Sequence, residues 1–564
     1  MLSKNLRSKL YIPILRETPL DAAIPSHQLL VRAGFMRRCS LGIYSILPLG
    51  ERVLEKIEAL IDAEMAAIDC SKVRLPVVQP AELWRTTGRW ESTGAELMRM
   101  KDRRGDDLCL GPTHEEVVTD MVARDMQSYR DLPVRLYQVG TKFRDEVRPR
   151  FGLMRGREFT MKDAYTFDAN RDDAVGTFHA MEGAYHALLG KMFDAQYVAV
   201  DADAGNIGSA GSLSREFQVL AAVGEDALLR CATCDYAANQ EKASGAVAAG
   251  GEAGAEVDVV VLEAASDDDT DDVVAAVVVP AGREPNKLKL AGHVDDALAD
   301  ARAASDPRAA LIAAAKRGAA LRILIDANAG RTAAAQDAVL SCLRGDGSGD
   351  GGGDGGVAWV DAACASATVE GDFLLAEAGD GCATAGCGGQ LAEHRGIEVG
   401  HVFLLGSKYA DALGARFTDA SGKSCPVEMG CFGLGVSRMM AALIEMEGGH
   451  DEHGIVWPEI VAPYRAIVVA AKKSLREGAT ALHATLRDVE DEVLLDDRWG
   501  ERLGGKLKEA ELIGYPFVIV LGRAWEQSGG TIVELQQRAA GRSIPSREVS
   551  VDELTALLGK QPII

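Results

Sequence analysis

Five arginines stand close together in FRDEVRPRFGLMRGREF, residues 143–159 of a 564-residue chain whose formal net charge is −23. The segments YQVGTKFRDE at the start of this stretch and TMKDAYTF after it are patterned as strands. Between them, VRPRFGLM contains the proline and glycine that are typical of a turn. The stretch therefore predicts a hairpin of two strands that brings many cations to one place.

The period of two in a strand fixes which side chains of this hairpin share a face. The shared face carries mainly polar groups, namely Gln138, Lys142, Arg144 and Glu146 in the first arm and Arg155, Arg157, Phe159 and Asp163 in the second. Guanidinium groups bind phosphate oxygens in a fork, an aromatic ring stacks on a purine, and a carboxylate accepts from an exocyclic amine. This combination predicts an ATP site. The alternative is a solvent-facing hairpin whose charges only pair with one another.

A second motif, MGCFGLGVSR at residues 429–438, lies far along the chain. Gly433 and Gly435 are expected to allow close backbone packing, and Arg438 stands where a strand passes into the helix-like SRMMAALIEM. A lone Gly-x-Gly is a weak signal. Together with the arginine-rich hairpin, however, it favours the ATP site over the solvent-facing alternative.

Composition divides the chain. The helix-like LGERVLEKIEALIDAEMAA (49–67) and the strand-like SKVRLPVVQP (71–80) belong to a first α/β body. Residues 244–376 are instead rich in Ala, Gly and Asp, with an acidic loop, SDDDTDD (266–272), and a flexible linker, GDGSGDGGGDGG (345–356). Calcium loops are the alternative for the glycine–aspartate runs, although no nonapeptide period supports them.

Strand-like VVAAVVVP (273–280) and LRILIDA (321–327) and the helix-like DDALADARAA indicate that this segment is an inserted domain. Strand-rich sequence resumes with GIEVGHVFLLG, and the tail after WPEIVAPY (457–464) alternates strands such as AIVVAA and YPFVIVLG with helices. The tail therefore predicts a separate α/β domain.

The composition, with 47% hydrophobic and 26% charged residues and no apolar run of bilayer length, argues against a membrane protein. Eleven cysteines, an odd number, favour a reducing compartment over a disulfide framework. We expect an intracellular protein, in the cytoplasm or in an organellar matrix if the source is eukaryotic. The first sixteen residues are basic without an acid, as in a short presequence, and leave targeting undecided.

Two cysteine pairs flank the insert. Cys231 and Cys234 form a C-x-x-C pair, and Cys382 and Cys387, spaced more widely, are followed by two glycines. Four thiolates from these pairs could bind a structural zinc ion and hold the ends of the insert together. Buried or free thiols are the alternative.

Taken together, these motifs resemble those of the class II aminoacyl-tRNA synthetases, and their wording is similar to prolyl-tRNA synthetases of the bacterial and organellar type. The resemblance covers residues 1–243 and 380–564. Besides the hairpin and MGCFGLGVSR, it is carried by SHQLLVRAGF (26–35), LPLG (47–50), LGPTHEE (110–116), CDYAANQEKA (234–243), RGIEVGH (395–401) and VLLDD (493–497).

The resemblance implies an α/β (α+β) fold: an antiparallel-sheet catalytic core, an inserted domain and a C-terminal α/β anticodon-binding domain. The expected bounds are 1–222 and 393–462 for the two parts of the core, 223–392 for the insert and 463–564 for the tail. Motif one, ending at Pro76, would form the interface of a homodimer. Motif two is the hairpin and motif three is 429–438.

The implied reaction is the joining of L-proline and ATP to prolyl-adenylate, followed by transfer to the 3′ end of tRNA(Pro). By resemblance, Arg144 holds the α-phosphate and the prolyl carboxylate, while Arg155 and Arg438 hold the β- and γ-phosphates. Glu146 reads adenine and Phe159 stacks on it. Glu398 and His401 line the ATP and Mg²⁺ side, and Gly433 and Gly435 belong to the same site.

Proline carries a charged secondary ammonium, whose pocket needs acceptors. Thr113 and Glu115, two apart and expected on one strand face, match the family's substrate loop, and Asp163 and Tyr165 are expected to complete the wall. One departure is the loop GSAGSLSREF (208–217), which places Arg215 where the family has a histidine and weakens the expectation for proline affinity.

In bacterial relatives the insert is an editing domain for alanine mischarged onto tRNA(Pro). Here only Asn286 and Lys289 in REPNKLKL match the family's Asn-x-x-Lys step, so we expect a degenerate insert without editing activity. Two other interpretations remain: a catalytically inactive tRNA-binding paralogue, and a class II synthetase of threonyl or seryl specificity. Intact motifs two and three favour an active ligase.

Overall fold

The computed structural model describes residues 5–202, 207, 213–246, 257–263, 273–280, 283–286, 289, 302–303, 320–326, 368–371, 375–539 and 542–560. The chain forms two compact units. The first contains residues 1–198, 204–225 and 396–564, and the second contains residues 199–203 and 226–395. Within the described ranges, no helix combines the length and the apolar character that a bilayer crossing requires.

The α-helices of the described residues are, in chain order, α1 (Pro25–Arg32), α2 (Pro48–Ala67), α3 (Ala81–Thr86), α4 (Arg89–Ser92), α5 (Glu115–Asp125), α6 (Arg171–Phe193), α7 (Lys408–Leu413), α8 (Val436–Glu445), α9 (Arg476–Arg487), α10 (Leu503–Ile513), α11 (Arg523–Gln527) and α12 (Val551–Leu558).

The strands are, in chain order, β1 (Met36–Ser40), β2 (Ile43–Ile46), β3 (Ser71–Lys72), β4 (Val78–Pro80), β5 (Arg99–Lys101), β6 (Asp107–Leu110), β7 (Val134–Phe143), β8 (Glu158–Asp168), β9 (Tyr197–Asp201), β10 (Ser214–Leu220), β11 (Asp226–Cys231), β12 (Ala237–Asn239), β13 (Gly245–Ala246), β14 (Val257–Glu263), β15 (Val273–Pro280), β16 (Arg302–Ala303), β17 (Ala320–Asp326), β18 (Thr368–Gly371), β19 (Gly381–Cys382), β20 (Leu391–Gly406), β21 (Arg416–Thr418), β22 (Ser424–Pro426), β23 (Glu428–Leu434), β24 (Ala466–Ala470), β25 (Val493–Asp496), β26 (Phe517–Leu521), β27 (Ile532–Ala539), β28 (Arg542–Ser543) and β29 (Arg547–Ser550).

The central sheet of the first unit is antiparallel over the long strands β10, β20, β23, β8 and β7, which are neighbours in that order, and β3 joins the edge in parallel to β7. Helix α2 shows why helices can cover such a sheet. It begins at Pro48, which is preorganised for a first helical position, and buries Leu49, Val53, Leu54, Ile57, Ile61 and Met65 at helical spacing.

The tail of the first unit has its own sheet and core. Strands β25, β24 and β26 are parallel neighbours, and β27 pairs with β26 antiparallel. Their apolar side chains pack with those of α9 and α12. A short N-terminal segment also joins this sheet, since Leu6 pairs in parallel with Leu495 of β25.

The second unit contains a sheet in the order β16, β14, β15, β17, β18. Strands β14 and β15 are antiparallel, whereas β15, β17 and β18 are parallel. The same unit contains the antiparallel pair of β11 and β12 and the short antiparallel pair of β13 and β19. A small core around Leu229, Ala238 and Leu391 lies beside the cysteine pairs.

The predicted fold class, the helix at 49–67 and the strands at 273–280 and 321–327 are confirmed. The predicted strand 71–80 is wrong in its middle, because only Ser71–Lys72 and Val78–Pro80 pair with other strands. The prediction of a strand at Thr113 and Glu115 is also wrong, because Glu115 begins helix α5.

The strands of the arginine-rich hairpin are shorter than predicted. Strand β7 ends at Phe143 and β8 begins at Glu158, so Arg144, Glu146, Arg155 and Arg157 lie in the connection between them. Of the helix predicted at DDALADARAA, Arg302–Ala303 form a strand instead, and its other residues lie outside the described ranges. The acidic loop 266–272, the linker 345–356 and residues 208–212 lie outside the described residues.

Candidate active site

Cross-strand register places a row of polar residues across the central sheet. Gln138 lies opposite Asp163, Asp163 opposite Gly433, Gly433 opposite His401, and His401 opposite Glu216. Directly paired residues project from the same face of a sheet. Four separate strands after β7 therefore contribute to one line of side chains, although their residues are far apart in the sequence.

A cavity of about 220 Å³ opens over the middle of this row and is lined there by Asp163, Gly433 and His401. Its lining includes all of the predicted site residues of the first unit except Tyr165, namely Thr113, Glu115, Arg144, Glu146, Arg155, Phe159, Asp163, Glu398, His401, Gly433, Gly435 and Arg438. The sheet thus brings together residues that the sequence places in four different segments.

One end of the cavity is acidic. Glu115 is fully buried, and the hydroxyl of Thr113 donates to its carboxylate, with both oxygens 2.7 Å away. The thiol of Cys431 donates to the same carboxylate at 3.3 Å, and burial raises the pKa of that thiol well above its usual range. Thr113 and Glu115 therefore meet as predicted, but through the turn into a helix rather than along a strand.

Asp163 lies at the centre of a buried network at this end. Its carboxylate pairs with the Lys142 ammonium at 2.7 Å and accepts from Gln138 at 3.0 Å and from the Tyr165 hydroxyl at 2.9 Å. Tyr165 also accepts from the backbone N–H of His114 at 2.8 Å. Tyr165 does not line the cavity, and its hydroxyl instead ties Asp163 to the loop that carries Thr113.

Three arginines form the other end of the cavity. Arg438 donates to the carbonyls of Met154 at 2.9 Å and Glu398 at 2.7 Å. Arg155 pairs with Glu146, Nε to Oε2 at 2.8 Å, and that hydrogen bond raises the arginine pKa.

The third of these cations, Arg144, lies over the ring of Phe159, with 5.4 Å from its guanidinium carbon to the ring centroid. The cavity therefore has an acidic end and a cationic end with an aromatic ring beside it.

Beside the arginines, Glu216, Glu398 and His401 place ligand atoms within 4.8 Å of one another. The Ser214 hydroxyl lies 2.7 Å from His401 Nε2. Such a group of carboxylate oxygens could hold a divalent cation. Sequence reasoning found Glu398 and His401 but missed Glu216, whose position opposite His401 depends on the strand register.

The two glycines of the second motif differ. A Cβ added to Gly433 would meet no atom nearer than Met161 Sδ at 3.9 Å, so the expectation of close packing is wrong for this residue. Gly433 leaves space in the polar row, between Asp163 and His401. A Cβ at Gly435 would lie 3.2 Å from the Cβ of Arg438, so close packing is correct there.

Arg157 and Arg215 lie outside the cavity lining. Arg157 pairs with Asp145 at 3.4 Å and donates to the Glu146 carbonyl, so it braces the hairpin connection. Arg215 pairs with Glu182 of α6 at 2.6 Å. Its departure from the family pattern therefore places no guanidinium at the acidic end.

The four cysteines of the second unit converge. Their Sγ atoms all lie within 4.8 Å of one another, with 3.6 Å between Cys231 and Cys387 and between Cys234 and Cys382. Gly386 and Gly388 have positive φ values, which lets the wide second spacing turn back on itself.

Comparisons with known proteins match two parts of the chain to families. A family model described as the class II core domain of tRNA synthetases (G, H, P, S and T) matches residues 98–447, and a model of an anticodon binding domain matches residues 465–561. A protein of Desulfovibrio desulfuricans named proline–tRNA ligase is 41% identical over 95% of both chains. A protein of the same name from Syntrophus aciditrophicus is 40% identical over 97% of both chains.

Two solved structures share the fold. Prolyl-tRNA synthetase from Cryptosporidium parvum, in complex with L-proline and AMP, gives a TM-score of 0.58 at 12% identity and covers 96% of this chain and 77% of its own. The Giardia lamblia enzyme in complex with prolyl-adenylate gives 0.57 at 14% identity, over 93% and 74%.

Proposed function

This chain belongs to the proline–tRNA ligases, a family of class II aminoacyl-tRNA synthetases, and from that membership we propose that it joins L-proline to tRNA(Pro) at the cavity described above. One observation carries the proposal: a single cavity has a buried carboxylate at one end and three arginines at the other. An amino acid cation fits the first end and a nucleoside triphosphate fits the second.

In the first step, an oxygen of the proline carboxylate attacks the α-phosphorus of ATP, and the bond from that phosphorus to the β-bridging oxygen breaks. Prolyl-adenylate forms and pyrophosphate leaves. The carboxylate is already ionised at neutral pH, so no general base is needed. Catalysis consists of in-line positioning and neutralisation of phosphate charge.

We assign Arg144 to the α-phosphate and the prolyl carboxylate, and Arg155 and Arg438 to the β- and γ-phosphates. Phe159 offers its ring to adenine and Glu146 accepts from the adenine amino group. The family resemblance gives these roles, and the shared cavity, in which Arg144 lies over the ring of Phe159, supports them.

At the acidic end, Glu115 and Thr113 accept from the two N–H groups of the prolyl ammonium. Asp163 stabilises the wall of this pocket by its contacts with Gln138, Lys142 and Tyr165. In the second step, the terminal ribose hydroxyl of the tRNA attacks the prolyl carbonyl carbon and loses its proton to the phosphate or to water. The bond from that carbon to the phosphate oxygen breaks, and AMP leaves.

Glu398 and Glu216 fit a magnesium ion, because Mg²⁺ is usually bound through one or two carboxylates together with substrate phosphates. When bound, the ion would neutralise phosphate charge. His401, 2.7 Å from the Ser214 hydroxyl, orients this side of the cavity. Of the two carboxylates, Glu398 lines the cavity and lies 3.4 Å from Arg438, so an ion held here would be next to one of the three arginines.

A structural zinc ion fits the four cysteines. Zinc in a tetrahedron of thiolates at about 2.3 Å spaces the sulfurs by roughly 3.8 Å, close to the 3.6 Å separations found here. Backbone N–H groups of Thr233 and Thr384 donate to Cys231 and Cys382. The ion would hold the two ends of the insert together.

Metal content tests the zinc site. Protein purified with zinc should contain about one zinc per chain by mass spectrometry, and Cys234→Ser/Cys387→Ser should lose it. The matched control, Cys39→Ser, changes an exposed cysteine outside the cluster and should keep the metal. Zinc-free wild-type protein would show that the thiols are only packed together.

For the parts of the chain, we propose catalytic segments at 1–222 and 393–462, an insert at 223–392 and an anticodon-binding tail at 463–564. The partners are L-proline, ATP, tRNA(Pro) and a second copy of the chain in a homodimer. Because ATP and tRNA occur inside cells, the activity implies an intracellular enzyme.

The decisive experiment is ATP–pyrophosphate exchange with each of the twenty amino acids. We expect exchange with proline well above that with threonine or serine. Exchange with threonine or serine instead would show that the enzyme has threonyl or seryl specificity. A folded protein that binds tRNA(Pro) but shows no exchange would be an inactive paralogue.

A further inference from the structure

A buried guanidinium lies behind the acidic end of the cavity, in a segment that none of the sequence motifs covers. Arg89, the first residue of α4, is 7% exposed. Its Nη1 donates to Glu115 Oε2 at 3.0 Å and to both carboxylate oxygens of Glu116 at 3.1 Å. One cation therefore joins two carboxylates that are adjacent in the first turn of α5.

The guanidinium is held in place by aromatic rings. Its carbon lies 4.7 Å from the ring centroid of Trp84 and 5.7 Å from that of Tyr409. Trp84 is itself fixed, because its indole N–H donates to Gln79 at 2.7 Å. Arg89 therefore stays behind the two carboxylates and does not line the cavity.

The two carboxylates have different surroundings. Glu115 lines the cavity, whereas Glu116 does not and accepts instead from the Thr87 hydroxyl at 3.0 Å. Burial raises the pKa of Glu116. For Arg89, burial opposes the charged form, but the attraction of the two carboxylates outweighs it and raises the arginine pKa. Both oxygens of Glu116 accept hydrogen bonds from Arg89, as an ionised carboxylate does, so the guanidinium and the two carboxylates together carry one net negative charge.

We propose that Arg89 is a positioning residue that sets the charge of the amino-acid end of the cavity. It neutralises Glu116, so that Glu115 meets the substrate with one negative charge, matched to one ammonium group. This inference rests on the proposed function, because it specifies how the proline site selects an amino acid with a single cationic centre.

Charge-balanced variants test the inference by ATP–pyrophosphate exchange. Glu116→Gln keeps the shape of the side chain but makes the cluster neutral, and Arg89 then pairs only with Glu115. We expect the KM for proline to rise about tenfold, as for one lost charge-assisted contact, while the KM for ATP stays unchanged.

The double variant Arg89→Met/Glu116→Gln restores one net negative charge. We expect its KM for proline to return to within about threefold of the wild-type value, because removing the cation frees Glu115 again. Glu115→Gln in the same double variant should abolish that recovery. A merely structural arginine would instead give a double variant with a higher KM for proline than Glu116→Gln alone.

The result for Glu116→Gln is decisive even if the double variant fails to fold, since the single change is isosteric. An unchanged KM for proline in Glu116→Gln would overturn the inference, as would a folded double variant without recovery. If the wild-type protein shows no exchange with proline, the proposed function itself fails.

Discussion

Each of the three arginines at the cationic end is held by other groups of the protein. Arg438 is fixed by two backbone carbonyls, Arg155 by Glu146, and Arg144 by the ring of Phe159. Preorganised charges of this kind require little rearrangement when negative charge builds up on a phosphate. This supports a catalytic role for the three arginines. A surface arginine that is free to change rotamer would be less suited to that role.

Arg144→Ala and Arg438→Ala should therefore lower proline-dependent exchange by 100-fold or more. The loss of one preorganised, charge-assisted phosphate contact costs about 3 kcal/mol of transition-state stabilisation. Arg416→Ala is the matched control, because Arg416 is exposed and pairs with Asp411 away from the cavity. Near-wild-type exchange in both cavity variants would contradict the assignment.

Gly433 offers a test of the cavity itself. Gly433→Val should fold normally, because a β-branched residue suits a strand and the nearest neighbour of an added Cβ is Met161 Sδ at 3.9 Å, an ordinary contact distance. Its side chain would instead occupy the space between Asp163 and His401. We expect kcat/KM in the exchange assay to fall about 100-fold with little change in Tm. The kcat/KM of Gly433→Ala should lie between those of the wild type and the valine variant. The control is Gly183→Ala in α6, where an added Cβ meets nothing within 4 Å. Full activity of the valine variant would show that substrates do not use this space.

At the scale of elements, the sequence predicted best where a periodic pattern runs through a long strand or helix. The pairing of β7 with β8 and the passage of β23 into α8 follow directly from alternation and from helical spacing. The Thr-x-Glu spacing at Thr113 and Glu115 predicts a strand, but the same spacing is also compatible with the start of a helix. The helical spacing of VVTDMV after it is the signal that indicates α5. Arg89 and Glu216 could not be found in this way, because their partners are set by packing and register between distant segments.

The insert gives a prediction at the same scale. Asn286 donates to the carbonyl of Glu241 at 2.7 Å, and Lys289 donates to the carbonyl of Ala243 at 2.8 Å. These contacts serve to hold the segment 234–243. Alanine is smaller than proline, and a pocket gains only about 1–3 kcal/mol of discrimination from missing methylenes. Relatives that edit therefore benefit from hydrolysing mischarged alanine. We expect this chain to lack editing activity.

Alanyl-tRNA(Pro) incubated with the purified protein should therefore lose its ester no faster than in buffer. The control is the same protein lacking residues 244–376, which should give the same rate. Hydrolysis well above the buffer rate that disappears on this deletion would show that the insert does edit.

At the scale of the whole molecule, the tail is fastened to the body by charged contacts. Arg52 of α2 donates to the carbonyl of Pro463 at 2.5 Å and pairs with Glu492 at 3.2 Å, and Lys56 also reaches Glu492. At the N-terminal end, Arg7 pairs with Glu509 at 2.5 Å. A truncation that removes the tail should therefore also remove the short N-terminal segment that pairs with it, so that this segment is not left without its partner strand.

Removal of residues 463–564 together with residues 1–8 should spare proline activation and abolish charging of tRNA(Pro). Activation needs only the cavity, whereas charging needs the anticodon contacts that we assign to the tail. Sedimentation and circular dichroism should first establish a folded dimer. Loss of both activities in such a dimer would contradict this division of labour.

The pairing of Leu6 with Leu495 also has a consequence for the synthesis of the chain on the ribosome. Nearly 490 residues of chain separate the two partners, and at translation speeds of 5–20 residues per second the first must wait roughly 25–100 s for the second. During that time the N-terminal segment has no strand to join. The closing of the N-terminal segment onto the tail is therefore a late event in biosynthesis, after the catalytic sheet has its strands.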